Sequence, residues 1–291
     1  MERLLIVGTG DVARRALPSL VARYRTLALV RGEDARSAIE ALGARVAIGD
    51  LDRPETLAPL AGCADAVLHL APPDETQRGD ARTRRLISAL SGAAMVPRRV
   101  VYISTSGVYG DCGGARVDES RPVNPGTERG ARRVDAERAM TEWGERAGVK
   151  VTILRVPGIY AADRLPVERL KRGTPVLRAE DDVYTNHVHA EDLAAICARA
   201  LDADAPPGIY NASDDSEMKM GDWFDLVADR FGLPRPPRVS RTEAARAISP
   251  TLLSFMSESR RLVNRRMKEA LGIRLRYPTV RDGVPLRTAV A

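Results

Sequence analysis

Arg3-Leu4-Leu5-Ile6-Val7-Gly8-Thr9-Gly10-Asp11-Val12-Ala13 is the stretch that decides the fold. A short, mainly apolar strand that runs into Gly-x-Gly-x-x-Ala and then a helix-forming segment reads as a dinucleotide-binding turn. Gly8 permits the sharp bend, Gly10 lets the backbone approach a pyrophosphate, and Ala13 is small enough for the helix to pack on the strand. The helix mouth at Thr9, Asp11 and Val12 offers unpaired N–H groups and the positive end of a helix dipole to an anion.

The same rhythm continues outward from this turn. Residues 26–30 read as a second strand ending at Arg31, 33–42 as a helix, and 45–48 as a third strand closing on Gly49-Asp50. Asp52, Pro54 and Glu55 have the spacing of a helix start, with Asp52 as the cap and Glu55 answering it. A fourth strand over 66–70 breaks at Ala71-Pro72-Pro73, a fifth covers 99–104 and a sixth 150–155, with helices between. Continuous apolar strands alternating with helices predict a parallel α/β sheet covered on both faces. Right-handed crossovers make it a doubly wound, Rossmann-type sheet that takes ligands at the carboxyl ends of its strands. Beyond Arg155 the rhythm turns irregular, with Pro and Gly clustered at 157–158, 173–175, 206–208 and 234–237. Helices are expected over 190–201 and 220–231, and a short strand over 208–211. The predicted division is a dinucleotide-binding domain, 1–156, and a smaller substrate-side lobe, 157–291, interleaved with the last sheet elements.

With 291 residues, 44% of them hydrophobic, the chain can form one large domain or two unequal ones. No apolar run approaches the roughly 18 residues that span a bilayer, and a first strand at the very start predicts no signal peptide. Cys63, Cys112 and Cys197 are odd in number, far apart and without metal-ligand spacing, so a reduced cytoplasm is the expected compartment. Between Arg235 and Arg281, 12 basic residues meet 3 acidic ones, which makes the C-terminal part the electropositive half. This charge reads either as solvated helix faces or as attraction for an anionic ligand. Aromatics are 4% and offer no stacking platform, so nucleic acid is not an expected partner.

Taken in order, several landmarks make the chain similar to the extended short-chain dehydrogenase/reductase superfamily over nearly its whole length. They are the Gly8 turn, Gly49-Asp50, His69-Leu70-Ala71, Ser104-Thr105-Ser106-Gly107-Val108-Tyr109-Gly110, Asn186-His187-Val188-His189-x-x-Asp192, Tyr210-Asn211, and Leu271-Gly272 with Tyr277-Pro278. The resemblance implies a nicotinamide cofactor on the N-terminal sheet, a small-molecule substrate under the C-terminal lobe, and a monomer or homodimer. One departure stands out. The register of the family's catalytic Tyr-x-x-x-Lys holds Arg129-Gly130-Ala131-Arg132-Arg133. The tyrosine passes a proton to or from the substrate oxygen, and an arginine does not give up its proton near neutral pH. The pattern therefore resembles the atypical short-chain proteins of the YeeZ type, which lack most of the active-site tetrad.

The resemblance carries specific sites. Arg31 stands where NAD enzymes place an acid on the ribose and where an arginine suits the 2′-phosphate of NADP, with Arg36 adding a second positive charge. NADP is thus the expected cofactor, with NAD left open. Asp50, followed by Leu51, either borders the adenine or caps the next helix. Leu70, Ala71 and Pro72 line the cofactor after the fourth strand, and Pro157 and Ile159 match the loop around the nicotinamide amide. Thr105 has the register of the substrate-polarising hydroxyl. Ser106 and Gly107 stand where dehydratases carry an acidic pair, which disfavours dehydration. Tyr109 either substitutes as the acid or packs, and Arg133 either holds the nicotinamide ribose or is solvated. Asn186 and His187 border the substrate pocket, and Arg261, within Arg260, Arg261, Arg265 and Arg266, either shapes an anion-attracting wall or is surface charge. His187 and His189 alternate without a third ligand, so no metal is expected. Two readings result. One is oxidoreductase or epimerase-like chemistry on a carbonyl, hydroxyl or sugar-nucleotide-type substrate; the other is an NADP(H)-binding sensor or scaffold without turnover.

Overall fold

In the computed structural model, which describes residues 1–286, seven parallel strands form one sheet. They are β1 (Arg3–Val7), β2 (Arg25–Val30), β3 (Arg45–Ile48), β4 (Ala66–His69), β5 (Arg99–Thr105), β6 (Lys150–Val156) and β7 (Gly208–Asn211). Their spatial order is β7-β6-β5-β4-β1-β2-β3, all in parallel register. The order reverses between β1 and β4, so the crevice for a ligand opens beside the carboxyl end of β1.

The strands form here because their apolar runs can be buried on both faces at once. Leu4 and Ile6 of β1 face one layer, where they meet Ala13, Leu17 and Leu20 of α1 (Asp11–Val21). Leu5 and Val7 face the other layer, with Leu86 and Leu90 of α2 (Ala81–Leu90) and Ala136, Met140 and Trp143 of α3 (Glu128–Ala147). The period-2 alternation of a strand thus assigns neighbouring residues to opposite cores. α4 (Ala190–Ala200) completes the first layer beside α1. In a separate hydrophobic cluster formed beyond β6, Trp223, Phe224 and Val227 of α5 (Met220–Phe231) pack with Tyr160, Leu170 and Val280. The last five residues of the 157–291 lobe lie outside the described residues.

Two local expectations change. The predicted 33–42 helix is a 3₁₀ turn, Glu33–Ala35, followed by the five-residue helix Arg36–Glu40. Asp52 does not cap a helix: its carboxylate is drawn to Arg82 at 2.5 Å and Arg85 at 3.4 Å, and the 3₁₀ segment Pro54–Leu60 starts after Arg53 without a side-chain cap. β7 also joins the main sheet from residues well past 156.

A buried polar network ties β5, α3, β6 and β7 together. The Arg155 Nη2 donates to Glu137 Oε2 at 2.7 Å, and Ser104 Oγ donates to Glu137 Oε1 at 2.5 Å. The Arg155 guanidinium lies 4.7 Å from the centroid of the Tyr109 ring, and the Tyr109 hydroxyl donates to Asn211 Oδ1 at 2.9 Å. Asn211 Nδ2 in turn donates to the carbonyls of Val117 and Val263, tying the sheet edge to two distant segments of the chain.

Candidate functional site: a nucleotide cleft and an adjoining pocket

The turn after β1 is held at van der Waals limits on one side and open on the other. Gly8 has φ +96°, and a Cβ there would lie 2.5 Å from the Ala71 nitrogen and 2.8 Å from the Leu70 carbonyl carbon. Leu70 and Ala71 both donate backbone N–H groups to the Val7 carbonyl, so the β4 exit runs directly beneath the bend. At Gly10 the situation is reversed, since a Cβ would meet nothing within 4 Å. Gly10 is also the N-cap of α1, and no side chain satisfies the first N–H groups of that helix. An uncapped helix mouth with free space above it fits a pyrophosphate.

In front of this turn lies a cleft of about 610 Å³. Gly8, Thr9, Gly10 and Arg31 line one part of it, and Asp50, Leu51, Ala71 and Pro72 another. Arg31 is exposed on the cleft and makes no side-chain hydrogen bond or ion pair among the described residues, so its N–H donors are open to a ligand. The Asp50 carboxylate accepts from the Asp52 N–H at 3.0 Å, which fixes the loop after β3. Gly32, Asp34, Ala35 and Arg82 also line the cleft and were not singled out in the sequence. Arg82 reaches it from α2, far downstream, and no local motif marks it.

A second, smaller pocket of about 170 Å³ opens at the carboxyl ends of β5 and β6. Thr105, Ser106, Pro157 and Asn186 line it, and Arg129 joins them. The Thr105 hydroxyl accepts from the Gly107 N–H at 3.2 Å, which leaves its own proton free to point at a ligand. Arg129 arrives because Gly130 lets α3 press on the turn Ser106–Tyr109; a Cβ at Gly130 would lie 2.8 Å from the Gly107 carbonyl oxygen. The Arg129 guanidinium rests over Phe255, 4.1 Å from its centroid, and burial pulls its pKa below the ordinary value while Glu258 opposes that shift.

Glu258 and Arg260 form the far wall. Asn186 fastens this segment: its Nδ2 donates to the Arg260 carbonyl at 2.9 Å and its Oδ1 accepts from the Leu262 N–H at 2.8 Å. Arg260 Nη1 then donates to Glu258 Oε2 at 2.9 Å and to the Gly110 carbonyl at 2.7 Å. The Glu258 side chain is only 9% exposed, and its Oε1 has no partner among the described residues. Glu258 and Phe255 were missed in the sequence because they reach the pocket from more than a hundred residues away.

Other named residues are not brought to either cavity. Arg36 is held by Glu33 and Glu40 on its own helical face, with its Nη1 3.2 Å from Glu40. Asp11 accepts from Arg15 and Arg164, and Val12 packs against the core. Tyr109 is 1% exposed and its hydroxyl is committed to Asn211, so it packs rather than facing the pocket. Arg133 donates to the Tyr102 hydroxyl at 2.9 Å and the Ile103 carbonyl at 2.7 Å. Ile159 lies in the short strand Gly158–Tyr160, half-buried and packed against the core. His187 packs against Trp223 with centroids 4.5 Å apart and the rings tilted by 39°, and burial pushes its pKa down to about 3. Arg261 donates to the Gly114 carbonyl at 2.8 Å and lies over the Tyr184 ring. No group of three His, Cys, Asp or Glu side chains that could hold a metal ion occurs among the described residues, and no described helix is long and apolar enough to cross a membrane.

Comparison with known proteins agrees with this architecture. A family described as NAD(P)H-binding matches residues 8–204. A 4-hydroxy-2-methyl-3-oxo-4-farnesyl-3,4-dihydroquinoline-1-oxide ketoreductase from Stigmatella aurantiaca is 28% identical, over 85% of this chain and 78% of that protein. A 3-diazoavenalumate denitrifying reductase from a Streptomyces species is 27% identical over 97% of this chain and 99% of its own length. Among solved structures, a conserved Silicibacter pomeroyi protein of unknown function has a TM-score of 0.79 at 31% identity, covering 97% of this chain and 96% of that one. The fold is also that of a human epimerase family protein solved with NADPH, with a TM-score of 0.74 at 18% identity over 97% of both chains. The free helix mouth, the open space at Gly10 and the match over most of the chain agree: this protein belongs to the NAD(P)H-binding family, on the fold of the epimerase/dehydratase-type short-chain proteins.

Proposed function

We propose that the protein is an NADPH-dependent reductase that acts on a carbonyl group held by Thr105. The observation that carries this reading is the placement of Thr105, Ser106 and Pro157 in one pocket, at strand ends neighbouring the nucleotide cleft. Two relatives named as reductases support it.

The Gly8–Gly10 turn and the mouth of α1 would hold the pyrophosphate, and Arg31 the 2′-phosphate. When bound, the cofactor supplies a hydride. The chain's part is to orient and polarise the acceptor. Thr105 donates its hydroxyl proton in a hydrogen bond to the substrate oxygen, and the Ser106 hydroxyl stands on the same wall. Arg129 adds a fixed positive charge to the pocket lining and cannot transfer a proton. Neither Tyr109 nor Arg133 faces the pocket, so the proton is supplied by solvent or by the substrate.

The test is NADPH oxidation by a panel of aldehydes, ketones and oxo acids at high protein concentration, beside NADPH binding followed by fluorescence. Consumption by one carbonyl class supports the reading. Binding without consumption by any member favours the second reading, a cofactor-binding sensor or scaffold, for which the replacement of the tyrosine by Arg129 speaks. Arg31→Glu is expected to weaken NADPH at least about tenfold while changing NADH affinity much less, since one charge-assisted phosphate contact is worth about 1.5–3 kcal/mol. Equal losses for both nucleotides, measured by the same titration, would remove the NADP preference.

A further inference from the structure

The guanidinium of Arg129 has five N–H donors and uses none of them within the described residues. The neighbouring arginines are all engaged: Arg260 with Glu258 and the Gly110 carbonyl, Arg132 with the Gln77 carbonyl, Arg133 with Tyr102 and the Ile103 carbonyl. A half-buried cation placed on an aromatic face, with its hydrogen-bonding capacity unspent, is incomplete without an anion. The close approach at Gly130 and the stacking on Phe255 hold that cation in place at the pocket wall.

We propose that Arg129 is the receptor for a substrate carboxylate, so that this pocket takes a small monoanionic oxo or hydroxy acid. The reductase part of this assignment rests on the function proposed above, whereas the anion site does not. The planar fork of the guanidinium matches a carboxylate through two parallel hydrogen bonds. Thr105 and Ser106, on the same pocket, are left for the carbonyl or hydroxyl oxygen. Glu258 sets the charge limit. Its carboxylate pairs with Arg260 at 2.9 Å and also acts on Arg129, so two arginines and one glutamate leave a single net positive charge among the described lining residues. A ligand with a second negative charge, such as a phosphate or a nucleotide diphosphate, would meet Glu258 with nothing to offset it. The unpartnered Glu258 Oε1 instead invites a hydrogen-bond donor on the ligand, which a hydroxy acid supplies. At about 170 Å³ the pocket is also well below the ~300–1,000 Å³ of most ligand sites, so it suits a small acid or the acidic end of a larger one.

Ligand-detected NMR titrations of the full chain, with and without NADPH, test this with benzoate, benzamide and UDP. Benzoate is expected to bind at least about tenfold tighter than its neutral isostere, in line with ~1.4 kcal/mol per tenfold for a charge-assisted pair, and UDP is not expected to displace it. Arg129→Gln is expected to abolish the preference for the acid, and Arg129→Lys to keep part of it, with Tm and NADPH affinity at wild-type values in both. Equal affinity for benzoate and benzamide, absence of binding by both, displacement by UDP, or an undiminished preference in Arg129→Gln each overturns the proposal. A clear carboxylate preference with NADPH left unoxidised by every oxo acid would overturn the reductase reading alone. Oxidation of NADPH by neutral ketones without a carboxylate preference would overturn the anion site alone.

Discussion

Glu137→Ala is expected to lower the stability of the folded protein by about 3–5 kcal/mol, the cost of leaving a buried charge without its partner. The Glu137 and Arg155 side chains are 8% and 5% exposed, so water cannot replace the lost carboxylate. The change also strips Ser104 of its acceptor and frees the guanidinium that lies over Tyr109. Thermal unfolding should show a Tm about 6–20 °C lower, given roughly 2–4 °C per kcal/mol for large domains. The double variant Glu137→Leu with Arg155→Met should lose much less than either single change, because no ion is then left buried. A single-variant loss under ~1 kcal/mol, the range of an exposed pair, would show that the pair is hydrated in solution.

The second large effect separates the two glycines of the turn. Gly8→Val is expected to abolish measurable NADPH binding and to destabilise the fold. The positive φ alone costs about 1–2 kcal/mol for an L-residue, and the new Cβ would press on the backbone of Leu70 and Ala71, which cannot rotate away. Gly10→Ala should behave differently. Its φ of −74° suits alanine and its Cβ meets no protein atom, so Tm should stay at the wild-type value. Its methyl group enters the space the pyrophosphate needs, and NADPH affinity should fall about ten- to hundredfold, the ~1–3 kcal/mol of an overpacked contact. Nucleotide titration together with differential scanning calorimetry reads both effects. Normal NADPH affinity in Gly10→Ala would mean that the cofactor does not pass over this helix mouth.

Much of the sheet can be read from the sequence alone, for a local reason. β1, β2, β4 and β5 each contain a run of consecutive apolar residues, and a strand buried on both faces needs no partner to announce itself. The stripe Ala136, Met140 and Trp143 on α3 is equally plain from its spacing. The cofactor turn was legible because Gly8 and Gly10 do their work through their own backbone. Side chains whose position depends on distant neighbours were not legible. Glu258 reaches the pocket on a segment fastened by distant partners, Asn186 at residues 260–262 and Asp111 and Tyr184 at Ser259, and Tyr109 turns inward to Asn211, 102 positions away. Arg36 is a different case. Glu33 and Glu40 stand three and four residues from it on the same helical face, a pairing visible in the sequence that outcompetes a role in the cleft. Asp52 shows the reverse, a sound capping pattern overridden by two arginines of α2.

The outermost strand, Gly208–Asn211, reaches the sheet late in synthesis. Until those residues leave the ribosome, Lys150–Val156 presents a row of unpaired amides and carbonyls along an apolar strand, a template for any other nascent chain nearby. Tyr109 and Asn211 can then close their hydrogen bond only after this strand has docked, so the final locking of the molecule waits for its last third.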